Sequence, residues 1–169
     1  MANKNNHYEA AFEAYLRRLN LPYIPSLETH RSRLSNGSTI KNLDFIVSIP
    51  GRRSWLVDIK GRLFPGGRQR RCYWKQWATH DDLVGLLSWE SLFGREFQGL
   101  LVFAYRILGD RSPVPEEKLF PFRKRDYAFV GIKLTDYLSD VRLISPKWRT
   151  YSISASRFRS LARPFDEIE

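Results

Sequence analysis

Apolar residues recur through YEAAFEAYLRRL, residues 8 to 19, at Tyr8, Ala11, Phe12, Tyr15 and Leu19, the spacing of one helical face. A first helix is predicted there, with Glu9 and Glu13 stacked on one side of it, next to the apolar stripe. Prolines at 22 and 25 and the run SRLSNGST then read as an irregular connection and a turn. IKNLDFIVSI and SWLVDIK follow as two β-branched runs around Pro50-Gly51-Arg52-Arg53, which predicts a hairpin with two arginines at an exposed tip.

RLFPGGRQRRCYWKQW reads as a glycine-containing loop, and a second helix should follow it. Thr79, three residues before Asp82, resembles a capping box; Leu83, Leu86, Leu87 and Phe93 form the stripe, and Gly94 can end the helix. GLLVFAYRIL is nearly all apolar, the pattern of a central strand covered on both faces. After a loop with Pro113, Pro115 and Pro121, DYAFVGIK reads as a further strand. Thr135 is the expected cap of DYLSDV, TYSIS a short strand, and Ser156 the expected cap of RFRSLAR. The order of elements predicts an α/β fold with a mixed sheet, and 169 residues suit a single domain.

Charge changes the picture. Lys and Arg number 28 against 18 Asp and Glu, a formal net charge of +10, which suggests a polyanionic partner such as nucleic acid, although the same excess could serve solubility or an anionic membrane. One cysteine, Cys72, excludes an internal disulfide and a multi-cysteine zinc site, and fits a reducing compartment. No apolar segment has the roughly 20 residues of a membrane span, and none near the N-terminus looks like a signal peptide. A soluble, cytoplasmic protein without membrane association is expected. The basic loop places Arg62, Arg68, Arg70, Arg71 and Lys75 among Phe64, Tyr73, Trp74 and Trp77. With Arg52 and Arg53 of the hairpin tip, these are the candidates for backbone contact, the cations neutralising phosphates and Tyr73, Trp74 or Trp77 stacking on a base. The competing reading keeps the aromatics in the core and the arginines solvated.

Chemistry enters with Asp44, inside LDFIVSI, and Asp58, which ends SWLVD fourteen residues later. On adjacent strands about 5 Å apart, the two carboxylates could share one divalent cation. Lys60, two residues after Asp58, would lie on the same face and could orient a nucleophilic water or steady the phosphate. Ile59 between them could offer its backbone carbonyl to the metal. The bland alternatives are a solvated Asp58–Lys60 ion pair at a strand end, Asp44 closing a turn on its own backbone, and Glu13 pairing with Arg17 at the next helical turn.

Asp44 followed by Asp58-Ile59-Lys60 resembles the PD-(D/E)XK nuclease signature, with Leu43 where that signature has proline. The resemblance implies a restriction-endonuclease-like, three-layer α/β/α fold with a mixed central sheet. It also implies Glu9 as the helix glutamate that joins Asp44 and Asp58 around Mg²⁺ or Mn²⁺, and Lys60 as a catalytic residue. Archaeal Holliday-junction resolvases share this order of elements. The match spans about residues 7 to 107 and leaves 108 to 169 as an extension within the one domain, 1 to 169. His7-Tyr8-Glu9-Ala10-Ala11-Phe12-Glu13 also matches the motif that names the HYExAFE family, a planctomycete group. The resulting expectation is a metal-dependent endonuclease acting on nucleic acid, DNA ahead of RNA, as a homodimer if it cuts both strands. The alternative is a catalytically silent nucleic-acid-binding protein on the same fold.

Overall fold

The computed structural model describes residues 6–26, 32–66 and 74–169. Elements follow in the order α1 (His7–Arg18), β1 (Tyr23–Pro25), β2 (Ser32–Arg33), β3 (Thr39–Ile40), β4 (Phe45–Val47), β5 (Ser54–Phe64), β6 (Ala78–Thr79) and α2 (His80–Phe93). The second half adds β7 (Phe97–Ile107), β8 (Phe120–Phe122), β9 (Arg125–Lys133), α3 (Leu134–Ser139), β10 (Arg142–Ser145), β11 (Thr150–Ser152), α4 (Ala155–Leu161) and β12 (Arg163–Pro164).

The main sheet has the order β1-β4-β5-β7-β9-β12, with β8 beside β9. β4 and β5 run antiparallel, β5 and β7 parallel over their whole length, and β7 and β9 antiparallel, so the sheet is mixed. A parallel neighbour requires a crossover, and α2 supplies it. GLLVFAYRIL is the central strand its composition predicts, buried from Gly99 to Tyr105. Alternation along β5 separates the two faces. Trp55, Val57 and Ile59 pack with Phe12, Tyr15 and Leu16 of α1, whereas Leu56 and Phe64 join Leu83 and Leu86 of α2, Leu134 and Tyr137 of α3 and Phe158 of α4. The sheet thus lies between α1 on one face and the other three helices on the other. Phe12 meets the rings of Phe45, Phe129 and Phe165 edge-on at 5.5, 5.2 and 5.0 Å, which fixes α1 and therefore the start of the helix.

Four expectations need correction. β5 does not end at Lys60: Gly61 to Phe64 stay paired with Ala104 to Ile107 of β7, so Asp58 and Lys60 lie in mid-strand and the loop starts only at Pro65. IKNLDFIVSI is not one strand. Ile40 ends β3, the ladder resumes at Phe45, and Lys41 to Asp44 form an irregular stretch between. Thr135 does not cap α3, because β9 runs straight into that helix and Lys133 occupies the cap position without a side-chain bond. Ser154 rather than Ser156 caps α4, accepting from the Arg157 amide at 3.2 Å. The capping box of Thr79 and Asp82 and the terminal Gly94 are as expected, Gly94 with a positive φ of 83°.

Candidate active site

The break in the ladder before β4 makes the site. Asp44 still donates its amide to the Val57 carbonyl at 2.8 Å, one register step beyond Phe45↔Val57, and therefore stands opposite Asp58. Its Oδ2 accepts from the Ile59 amide at 2.5 Å, so the side chain bonds the neighbouring strand and not its own turn. In a strand the carbonyl of Ile59 lies on the same edge as its amide, and it faces the side where β4 has ended. The Ile59 side chain points to the α1 face and is buried there.

Glu9, Asp44, Asp58 and Lys60 are 4%, 4%, 2% and 7% exposed. Isolated charges at such burial are costly, so each must be compensated. Asp58 and Lys60 do form an ion pair, but a buried one within a larger network. Lys60 Nζ contacts Asp58 Oδ2 and lies 3.0 Å from Asp82 Oδ1. Lys41 Nζ lies 3.1 Å from Asp58 Oδ1 and 2.6 Å from Asp82 Oδ1. Two lysines and two carboxylates close a ring of alternating charge. Asp58 Oδ2 has no hydrogen bond of regular geometry, and its compensation is the ammonium of Lys60.

Asp44 is outside that ring. Its Oδ1 is buried without a hydrogen-bond partner. Burial, the facing Asp58 carboxylate and, more weakly, Glu9 push its pKa well above the ordinary carboxylate range, against the opposing effects of Lys60 and the Ile59 amide. Glu9 arrives from the α1 layer in the first helical turn, where the positive helix end favours an acid, and Asn6 Nδ2 donates to its Oε1 at 2.5 Å. Glu13 instead pairs with Arg17 at 2.7 Å and accepts from the Tyr23 hydroxyl.

The HYEAAFE segment is thus used residue by residue. His7 Nδ1 meets the Tyr127 hydroxyl at 2.9 Å, and Phe12 is core. Tyr8 lies against Gly61, where a Cβ would come within 2.2 Å of the Tyr8 ring, so the glycine after Lys60 admits the aromatic beside the site.

Two site residues escaped the sequence reading. Asp82 serves the network with Oδ1 while Oδ2 accepts from the Thr79 amide at 2.8 Å, so the capping box accounted for it before its second role could show. Both lysines hold its pKa below the usual range despite burial. Lys41 stands in the irregular stretch; its carbonyl accepts from Trp89 Nε1 at 2.9 Å and lies over Gly85, which fixes its position against α2. Its two carboxylate partners outweigh burial and raise its pKa.

The basic residues divide. Arg68, Arg70, Arg71, Cys72 and Tyr73 lie outside the described residues. Arg52 and Arg53 are exposed at the hairpin tip, but Asp58 lies five residue steps along the strand from Arg53, about 17 Å, so the tip lies away from the site. Arg62 belongs to β5, not to a loop. It donates to the Gly61 and Trp77 carbonyls at 2.8 and 2.6 Å and lies 3.9 Å over the Trp77 ring, a clamp on that indole. Trp74 packs against Phe64, Tyr105 and Phe158, and the expectation that it stacks on a base gives way to a core role. Lys75 is half-buried and, with Arg62, Trp77 and Tyr8, lines a cleft of about 500 Å³ along the open edge of β5.

Among the described residues, no three His, Cys, Asp or Glu side chains stand grouped for a metal ion. Two of the carboxylates nevertheless suit a hard cation, the orphaned oxygen on Asp44 and the Asp58 carboxylate opposite it, whereas Glu9 is only the weakest of the charges that raise the Asp44 pKa. No helix among the described residues is long and apolar enough to cross a membrane.

The strand order and helix placement, a mixed central sheet between α1 and the other helices, are similar to those of a solved structure. The Holliday junction resolvase Hjc of Archaeoglobus fulgidus, an archaeal hyperthermophile, matches with a TM-score of 0.55 over 95% of this chain and 96% of its own, at 11% identity. The likeness therefore reaches past residue 107 and concerns the fold alone. No protein family model matches the chain, so the HYEAAFE segment remains a motif match. No curated protein matches it.

Proposed function

We propose that the chain is a metal-dependent nuclease that hydrolyses phosphodiester bonds in nucleic acid, DNA ahead of RNA, on a restriction-endonuclease-like fold. The observation that carries this reading is the Asp44–Asp58 pair, buried face to face with Lys60 alongside and one Asp44 oxygen left without a partner. An orphaned buried carboxylate oxygen is a standing cost, and a functional site is where such costs persist.

Asp44, Asp58 and Glu9, with the Ile59 carbonyl, are the groups that would hold Mg²⁺ or Mn²⁺. Bound there, the cation would supply charge neutralisation at the phosphate and a more acidic attacking water. The chain supplies the rest. Asp58 would hold such an ion in place of the Lys41 ammonium, and Asp82, which pairs with both lysines, would keep them beside the site. Lys60 Nζ is then the buried donor that orients the water and meets the negative charge growing on the phosphate oxygens. Glu9, oriented by Asn6, closes the anionic side from the α1 layer.

Incubation with DNA and RNA panels in Mg²⁺ or Mn²⁺, and again in chelator, is expected to give cation-dependent cleavage that Asp58→Asn abolishes. A second reading, a binding protein that does not cleave, is favoured by the two lysines already on Asp58. Binding of every substrate with cleavage of none would establish it.

A further inference from the structure

β10 and β11 form a hairpin outside the main sheet, and its surface matches nothing the site requires. Leu143, Ile144 and Trp148 are 51%, 56% and 69% exposed, three large apolar side chains within six residues. Three such side chains concentrated in one short hairpin depart from the single, scattered apolar residues of an ordinary surface. Arg142, Lys147 and Arg149 are interleaved with them, Lys147 Nζ lies 5.2 Å from the Trp148 ring centroid, and no acidic residue occurs from Arg142 to Ser152. Apolar faces among cations alone suit a ligand that is polyanionic outside and flat and aromatic within.

The hairpin is rigidly tied to the site. Thr150 and Tyr151 pair with Thr79 and Ala78 of β6, which leads directly into α2 and Asp82. The His80 amide donates to the Arg149 carbonyl at 2.9 Å, and the Tyr137 hydroxyl lies between the Gln76 and Tyr151 carbonyls, at 2.8 and 3.0 Å. Within the turn, Ser145 Oγ accepts from the Trp148 amide at 3.3 Å. Arg149, His80 and Lys41 line one small cleft of about 160 Å³, so the base of the hairpin adjoins the lysine that bridges Asp58 and Asp82.

We propose that this hairpin is a stacking surface for unpaired nucleotides. Trp148 takes the face of a base, the exposed Leu143 and Ile144 keep the hairpin apolar, and Arg142, Lys147 and Arg149 hold the phosphates. The favoured ligand is a duplex bearing a single-stranded tail, in preference to a blunt duplex or to a four-way junction in which every base is paired. The location beside a cleavage site rests on the nuclease reading; the stacking itself does not.

Affinities of the full chain for tailed, blunt and four-way DNA, measured in chelator so that nothing is cut, test this. The wild type should prefer the tailed duplex by roughly tenfold, Trp148→Ala should erase that preference, and Trp148→Phe should keep most of it, as stacking contributes on that scale per base. A 2-aminopurine in the tail should be quenched by the wild type and not by Trp148→Ala. An unchanged preference in Trp148→Ala overturns the proposal, as does a wild type without one. Self-association lost in Trp148→Ala, with no tail preference, overturns it in favour of a second copy of the chain. Tail preference without cleavage in Mg²⁺ or Mn²⁺ sinks the nuclease reading and leaves the stacking surface standing.

Discussion

Asp44 and Asp58 face each other across the β4–β5 register, yet both lysines of the site go to Asp58 and Asp44 keeps a buried oxygen without a hydrogen-bond partner. The folded chain therefore holds a proton on Asp44 to higher pH than the unfolded chain does. Between the ordinary carboxylate pKa and the raised one, the native state binds more protons, so stability falls as pH rises through that window. Asp44→Asn should remove this slope, since its amide can donate to Asp58 while its carbonyl still accepts from Ile59. The variant should gain roughly 0.5–2 kcal/mol at pH 7, a melting point higher by several degrees, and lose all cleavage. Melting curves against pH for both proteins check it, and a destabilised Asp44→Asn would contradict the picture of an uncompensated carboxylate.

At the proposed metal site, Lys41 would compete with a divalent cation for Asp58, with which it already pairs at 3.1 Å. Lys41→Gln takes one positive charge from a ring in which two lysines serve two acids. Part of the Lys41 side chain reaches solvent, which reduces the cost of losing it from that of a fully buried pair to about 1–3 kcal/mol. Affinity for Mg²⁺ or Mn²⁺ should nevertheless rise several-fold. Calorimetric titration with the metal alone measures the gain, and weaker binding would show that Lys41 orders the site more than it opposes the ion.

Asp82 separates its two roles by pH. The folded state holds its carboxyl below the ordinary range, so the stability it contributes is present above the unfolded pKa near 3.8 and is lost as pH falls below that value. Thr79→Ala removes half of the capping box and should cost about 1 kcal/mol, with the acid dependence from Asp82 retained. Asp82→Asn should cost more at pH 7, about 2–4 kcal/mol, and the difference from wild type should shrink toward pH 3. Denaturant unfolding of the three proteins at pH 7, 5 and 3 distinguishes the roles.

Helical spacing locates α1 and, with its capping box and terminal glycine, α2, while apolar runs locate β7 and β9, because each of these elements buries a continuous face or both faces. The Asp44, Asp58 and Lys60 cluster was legible for a related reason, since strand alternation and a hairpin suffice to bring the three together. Lys41 was not, because its side chain is aimed by a break in the ladder between Ile40 and Phe45 that apolar composition does not encode. Asp82 was hidden by a local motif that already explained it. Arg62 departs in the opposite direction: its glycine-containing, basic surroundings suggest a loop, whereas parallel pairing with β7 continues the strand through Phe64 and places the guanidinium on Trp77. Trp74 sat beside basic residues in sequence, yet its ring partners lie on β5, β7 and α4, contacts with no local signature.

Gly61 links the strand that carries Asp58 and Lys60 to the helix that carries Glu9. A Cβ at this position would lie 2.2 Å from Tyr8 Cδ2 and 2.6 Å from its Cε2, closer than any real contact, so Gly61→Ala must displace the Tyr8 ring. Tyr8 precedes Glu9 directly and its amide donates to the capping Asn6 at 3.1 Å, so moving the ring moves the first turn of α1 and with it the carboxylate. The substitution should destabilise the protein by about 1–3 kcal/mol, the usual cost of overpacking, and weaken cation binding without touching a ligand. Truncating the ring should undo the clash: Tyr8→Ala with Gly61→Ala should lie less than 1 kcal/mol below Tyr8→Ala alone, a non-additivity expected only of residues in contact. Equal costs of Gly61→Ala in the two backgrounds would mean that the glycine serves the backbone of β5 and that α1 is positioned by its Phe12 packing alone.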